Sequence, residues 1–239
     1  MGLLGERMGG GKEQALLVYF SENILQYQDK YDSYLQSLDV DEQKKAAGFK
    51  RELLTQRYVI AHGLLRDVLA RYVMESAEQL RIATTERGKP FLVDYPELSF
   101  NLSHTENSWA LAIVPQCCQL GIDIEYAKVR RGLEGLVGKC FSVQEAAHWQ
   151  SVNTEQQQRL FYAYWVRKEA FVKAVGQGIT LGLDQCVLNM HTELNSFISV
   201  PVCCGRADDW QVYPLDFAHE LQAVVVCNQK NLALKQLGI

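Results

Sequence analysis

No run of apolar residues in this chain approaches the roughly 18–20 positions that a bilayer-spanning helix needs, so no membrane partner is expected. The opening residues, Met1 to Gly11, lack the apolar core and small-residue cleavage site of a secretory signal. Met1-Gly2 also fails as a myristoylation signal, because the sixth position is Glu6 and not serine or threonine. Residues 1–14 are read as a flexible N-terminal extension. Spaced cysteine pairs are missing too. The chain has 7 cysteines, an odd number, with vicinal pairs at Cys117-Cys118 and Cys203-Cys204 and no C-x-x-C. That excludes a disulfide framework and points to a reducing, cytoplasmic setting, where most thiols serve as small core side chains. Nor is there a strong charge of one sign: a formal net charge of -4 gives no default attraction to nucleic acid. Disorder is excluded as well, since 48% of residues are hydrophobic and only 22% are charged.

What is present is an ordinary globular composition, with 239 residues to make one large domain or two modest ones. Residues 15–20 form a short apolar run and read as a strand. Asp39-Val40-Asp41 is placed to cap a helix beginning near Glu42. Tyr58, Ala61, Leu65, Val68, Leu69 and Tyr72 recur at helical spacing and predict a helix over 57–73. A turn follows at Arg87-Gly88-Lys89-Pro90. Strands are expected over 98–102 and 109–114, joined as a hairpin by the polar link 103–108. Residues 120–125 are strand-like again. Ser142-Val-Gln-Glu145 matches a capping box, and a long helix over 157–175 should stop at Gly176. Strands over 187–202 and 211–226 complete the reading. Both halves thus run strand, helices, turn, hairpin strands. This suggests two related α+β subdomains, 15–115 and 116–239, with a seam near 115–120.

The most informative string is Gly121-Ile122-Asp123-Ile124-Glu125. Alternate residues of a strand share a face, so the isoleucines enter the core while Asp123 and Glu125, roughly 7 Å apart, look the other way together. Two readings fit. One is a solvated strand face. The other is a site for a hard divalent cation, which relieves the repulsion between paired carboxylates. On the long helix Phe161, Trp165, Glu169 and Lys173 recur every four residues. Trp165 is expected in the core, and the Glu169–Lys173 pair continues its aromatic stripe. A plain i,i+4 ion pair is the simpler account; a carboxylate and an ammonium emerging from an apolar face favour a site. Near the other end of the chain Lys44, Lys45, Lys50, Arg51 and Arg57 cluster, as either a solvated helix face or an anion-binding patch.

Taken in order, Gly88-Lys89-Pro90, Asn101-Leu-Ser103-His104, Gly121-Ile-Asp123-Ile-Glu125, Phe141-Ser142 and Trp165-x-x-Lys168-Glu169-Ala-x-x-Lys173 resemble the Sfp-type 4′-phosphopantetheinyl transferases over most of the chain. Each string alone is weak, and the series in family order is strong. The resemblance implies an α+β, pseudo-twofold monomer of two similar subdomains with the active site in the cleft between them. It implies transfer of the 4′-phosphopantetheine arm of coenzyme A to a serine of an acyl or peptidyl carrier protein, releasing 3′,5′-ADP. By motif position, Asp123, Glu125 and Glu169 would hold Mg²⁺, or Mn²⁺ in its place, against the CoA pyrophosphate. Lys173 would neutralise or protonate the leaving phosphate. Ser103, His104 and Lys89 look like CoA contacts, while Arg57 and Lys45 would meet the 3′-phosphate. Glu145 falls where the family often has an acidic residue. The carrier stays open among fatty-acid, polyketide and peptide-synthetase carriers, and Lys128, Arg130 and Arg131 offer either a solvated loop or a surface for its acidic helix.

That chemistry makes sense of the residue types. Breaking a pyrophosphate needs charge neutralised on both phosphates and a nucleophile in line. A serine hydroxyl needs a base, and Glu169 is the best candidate, directly or through a metal-bound water. Without the series, His104 reads as a polar residue of a hairpin turn and Gly88-Lys89-Pro90 as ordinary turn chemistry. Rival readings are a metal-dependent hydrolase of CoA or nucleotides and a non-catalytic relative that only binds. A zinc-deaminase echo, His104-Thr-Glu106 with Pro115-Gln-Cys117-Cys118, fails because adjacent cysteines cannot supply the spaced thiolate pair.

Overall fold

A computed structural model of the chain describes residues 15–178, 181–217 and 220–239, so the extension expected over 1–14 lies outside the described residues. The first half runs β1 (Ala15–Ser21), α1 (Tyr31–Ser37), α2 (Val40–Ala47), α3 (Glu52–Val73), β2 (Ile82–Thr84), β3 (Pro90–Leu92), β4 (Ser99–Thr105) and β5 (Ser108–Val114). The second runs β6 (Leu120–Tyr126), α4 (Leu133–Cys140), α5 (Val143–Ser151), α6 (Thr154–Val175), β7 (Val187–Leu188), β8 (Phe197–Ser199), β9 (Gln211–Pro214), β10 (Leu221–Cys227) and β11 (Ala233–Gly238). Local chemistry sets several boundaries. Asp39 and Glu42 close a capping box on α2, and Ser142 and Glu145 do the same on α5. Gly176, with φ 74, ends α6 in the left-handed region.

The architecture is α+β in two parts. One sheet has strand order β11-β1-β5-β4, the other β6-β10-β9, and two small hairpins, β2-β3 and β7-β8, sit apart from them. Alternation along the strands builds three apolar layers. Trp109, Leu111 and Ile113 of β5 pack under α3. Ala110, Ala112 and Val114 meet Ile122, Ile124 and Val225 between the two sheets. Val224 and Val226 turn outward against Phe171 and Val172 of α6. Each sheet thus carries one helix of 22 residues on its outer face. The last strand, β11, crosses back to pair in parallel with β1, placing residues 233–238 in the first sheet.

Three strand expectations change. Residues 211–226 form two antiparallel strands, β9 and β10, and not a single one. In place of one strand over 187–202 there are two short ones, because the chain turns through Glu193 and Leu194, both at positive φ. The hairpin link is shorter than 103–108. The β4–β5 ladder continues to Thr105↔Ser108, leaving Glu106 and Asn107 as the turn, so Ser103 and His104 are strand residues.

At the seam, side chains of β4 serve the free backbone edge of β6. Ile122 N–H donates to Asn101 Oδ1 at 2.9 Å, and Ile124 N–H to Ser103 Oγ at 3.3 Å. These bonds satisfy buried donors that have no strand partner. On its other side β6 lies against α6 so closely that a methyl group at Gly121 would overlap the backbone at Ala170 O and Ala174 N. Gly121→Ala should therefore push the helix away, costing about 1–3 kcal/mol of stability in denaturant titration. An unchanged midpoint would show that the helix does not ride on that glycine.

Candidate active site

The tight contact at Gly121 fixes what its strand presents. Asp123 and Glu125, two and four residues on, share the face of β6 that looks onto α6, and Glu169 comes down from that helix. All three line one cleft of about 340 Å³, together with Ser103, His104, Trp165 and Lys173. Trp165, expected in the core, is instead a half-buried wall of this cleft, stacked on buried Phe161 at 5.7 Å. A second cleft of about 280 Å³ adjoins it, sharing Leu102, Glu169 and Lys173 and adding Gly88, Lys89 and Asn101.

The polar contacts are specific. Lys173 Nζ donates to Asp123 Oδ1 at 2.6 Å, to Ser103 Oγ at 3.0 Å and to Ile122 O at 3.2 Å. Ser103 Oγ donates in turn to Asp123 Oδ1 at 3.1 Å, and Thr105 Oγ1 to Glu125 Oε2 at 3.1 Å. Asp123 Oδ2 and Glu169 Oε1 are buried with no hydrogen-bond partner. Burial pushes the Asp123 carboxyl up, with the Lys173 ammonium pulling against it. Burial and then the Asp123 charge push up both Glu125 and Glu169. A carboxyl with a raised folded pKa holds its proton longer in the folded chain. Its contribution to stability is therefore greatest at low pH and is lost as pH rises through the carboxylate range. These three acids oppose one another and burial at neutral pH, a conflict that bound positive charge relieves.

The site is thus partly assembled. Among the described residues no three His, Cys, Asp or Glu side chains stand in a ligating array. Asp123, Glu125 and Glu169 share the cleft without closing on a point, and the cation on Asp123 is Lys173. The donor set still suits a hard divalent ion: every candidate ligand is a carboxylate oxygen, and two of those oxygens are buried without partners.

The remaining expected residues lie around this centre with different degrees of freedom. Lys89 Nζ donates to Ala174 O at 2.7 Å, near the C-terminal end of α6, and burial pushes its pKa down to about 8. Arg87 Nη1 donates to Gln177 O at 2.7 Å beside it, so the β2–β3 loop of the first half grips the end of the helix that carries Glu169. His104 is exposed on β4, within electrostatic reach of Lys173 and Lys45. Lys45 is exposed on α2 with its ammonium 5.2 Å over the Tyr58 ring. Arg57 is tied to the β4–β5 turn, its Nε donating to Asn107 Oδ1 at 2.9 Å. Arg57 and Lys45 thus engage different partners, Asn107 and the Tyr58 ring.

Two family models match this chain. Residues 119–227 match the 4′-phosphopantetheinyl transferase superfamily, and residues 26–116 match the 4′-phosphopantetheinyl transferase N-terminal family. The chain belongs to the 4′-phosphopantetheinyl transferases. Among its relatives, the 4′-phosphopantetheinyl transferase HetI of Nostoc sp. is 37% identical over 158 residues, spanning 63% of this chain and 66% of HetI. The 4′-phosphopantetheinyl transferase Sfp of Bacillus subtilis is 28% identical over 174 residues, 73% of this chain and 76% of Sfp. The 4′-phosphopantetheinyl transferase psf-1 of Bacillus pumilus is 28% identical over 202 residues, 82% of each.

One part of this phosphopantetheinyl transferase escaped the sequence reading. Lys168 and Glu145 are both fully buried and form an ion pair at 2.8 Å. Lys168 Nζ also donates to Leu183 O and Cys186 O, and Glu145 accepts from the N–H groups of Ser142 and Leu188. The pair ties α5, α6 and the 183–188 segment together directly beside Glu169. Its signal lay in the Trp165-x-x-Lys168 string, where a lysine one residue before the acidic ligand candidate falls on the inner face of the helix.

Proposed function

We propose that this transferase moves the 4′-phosphopantetheine arm of coenzyme A to a serine hydroxyl of an acyl or peptidyl carrier protein, releasing 3′,5′-ADP. The observation that carries the reading is the meeting in one cleft of partnerless buried oxygens on Asp123 and Glu169 with the Lys173 ammonium. Asp123, Glu125 and Glu169 are the residues to hold Mg²⁺ or Mn²⁺. That ion, when bound, supplies positive charge to both phosphates of the CoA pyrophosphate. Lys173 faces the same space and stabilises negative charge developing on the departing ADP. Glu169, raised by burial and by Asp123, takes the serine proton as the new P–O bond forms and the pyrophosphate P–O bond breaks. Ser103 and His104 border this cleft, and Lys89 the adjoining one, as CoA contacts, with Arg57 and Lys45 assigned to the 3′-phosphate. The seven cysteines are all free thiols, which supports a cytoplasmic setting, and we read the protein as a monomer.

The test is direct. A carrier protein incubated with CoA, Mg²⁺ and this chain should gain the mass of one phosphopantetheine on one serine. An unmodified carrier with cleaved CoA would make the protein a hydrolase, and an unmodified carrier with intact CoA a binder. If Arg57 and Lys45 hold the 3′-phosphate, dephospho-CoA should show a KM about tenfold or more above that of CoA, the worth of one charge-assisted contact. Equal KM values would assign that cationic surface to another partner.

A further inference from the structure

The link between the halves and the end of β10 together carry a thiol pair that the proposed transfer does not use. Cys118 follows β5 in the seam, and Cys227 is the last residue of β10. The Cys227 thiol donates to Cys118 Sγ at 3.6 Å. Both residues are held in place from outside the pair. Ser99 Oγ donates to Cys118 O at 2.9 Å and accepts from Cys118 N–H at 2.8 Å. Next in the chain, Asn228 N–H donates to Gln119 O at 3.1 Å, and Gln119 N–H donates to Asn228 Oδ1 at 2.8 Å. Bringing the sulfurs to bonding distance takes about 1.5 Å of closure.

The two thiols are unlike. Cys118 is half-buried and reachable, whereas Cys227 is fully buried. The hydrogen bond from Cys227, working against burial and helped by the nearby Lys89 ammonium, lowers the Cys118 pKa to about 7. The same thiol–thiol bond and burial push Cys227 up. A reachable thiolate beside a sheltered thiol is the arrangement of an attacking and a resolving cysteine. The vicinal pair Cys203-Cys204 does not share it, since burial and the Cys203 thiol push Cys204 up to about 11.

We propose that Cys118 and Cys227 are a reversible thiol–disulfide site, with Cys118 reacting first with a small-molecule disulfide such as oxidised glutathione. The Cys118 thiolate attacks one glutathione sulfur, breaking the glutathione S–S bond and releasing one glutathione thiolate. Cys227, losing its proton to solvent, attacks the Cys118 sulfur and displaces the second glutathione. Two electrons pass from the protein thiols to one oxidised glutathione, giving one protein disulfide and two reduced glutathiones.

The experiment exposes the full chain to oxidised glutathione, alkylates the remaining thiols and maps the peptides. A Cys118–Cys227 crosslink removed by dithiothreitol is the expected product. Cys227→Ser should stop at a mixed glutathione disulfide on Cys118, and Cys118→Ser should leave Cys227 reduced. Alkylation of Cys118 at the same rate before and after oxidant, a bond joining Cys118 to Cys117, or glutathione on Cys227 in the Cys118→Ser protein would each overturn the assignment. The map of the unmutated chain decides the matter even if a variant folds poorly.

Discussion

Glu169→Gln should lower carrier modification by roughly 10²–10⁴-fold, the range for loss of a positioned base, while the protein melts no lower than its parent. The two effects separate because of where the carboxylate lies. Glu169 is held up in pKa by burial and by Asp123, and its Oε1 has no partner. An amide of the same shape removes one charge from a self-repelling group and breaks no hydrogen bond to that oxygen. Asp123→Ala should match the loss of activity but differ in cause, since it also removes the carboxylate that Lys173 and Ser103 share as acceptor, leaving Lys173 only its weaker contacts to Ser103 Oγ and Ile122 O. Addition of Mg²⁺ supplies a further readout. Binding to the folded state alone raises Tm, and it competes with protons on carboxyls whose pKa values are raised. The gain should accordingly be larger near neutral pH than at about pH 5, and smaller in Glu169→Gln. Turnover retained in Glu169→Gln would remove that residue from the chemistry, and a Tm gain unchanged by the substitution would remove it from the metal site.

What the sequence showed of this site follows the range of the forces involved. Helix ends are set by residues a few positions apart, so the Ser142–Glu145 box and the stop at Gly176 are legible from local spacing alone, while the helix expected to begin near Glu42 starts at Val40, with Glu42 closing the box on Asp39. The alternation Ile122-Asp123-Ile124-Glu125 declared its two faces for the same reason. Interactions across the seam left weaker marks. Ser103 reads as part of a polar link until β4 is seen to lie along β6, where its hydroxyl serves Ile124 N–H, Asp123 and Lys173 at once. Gly121 counted only as one letter of a motif; its role appears when α6 is laid against it. β11 pairs with a strand more than two hundred positions earlier and lacks a clean inside–outside alternation, so nothing local announced it. Arg66 shows the same limit. It is almost fully buried, bonding Glu42, Asp39 and the carbonyls of Ala77 and Leu80, yet on a helical wheel it is one more surface arginine.

The largest structural effect is expected at the residue before Glu169. Lys168→Met keeps length and apolar packing but leaves the Glu145 carboxylate in a place with no exposure, facing only the N–H groups of Ser142 and Leu188. An uncompensated buried charge of this kind costs about 3–5 kcal/mol, and Leu183 O and Cys186 O lose their donor as well. Denaturant unfolding should show a drop of that size. Replacing both partners, as Lys168→Met with Glu145→Gln, removes the stranded charge while the amide oxygen can keep accepting at the α5 cap, so the double variant should recover part of the loss and the cycle should show strong coupling. A Lys168→Met protein that unfolds like its parent would mean that Glu145 is neutral or solvated when the lysine is gone. The pair's place beside Glu169 gives the result a functional edge. If α6 is pinned by Lys168, the single variant should also lose transfer at temperatures well below its melting point, and the double variant should regain activity in step with stability.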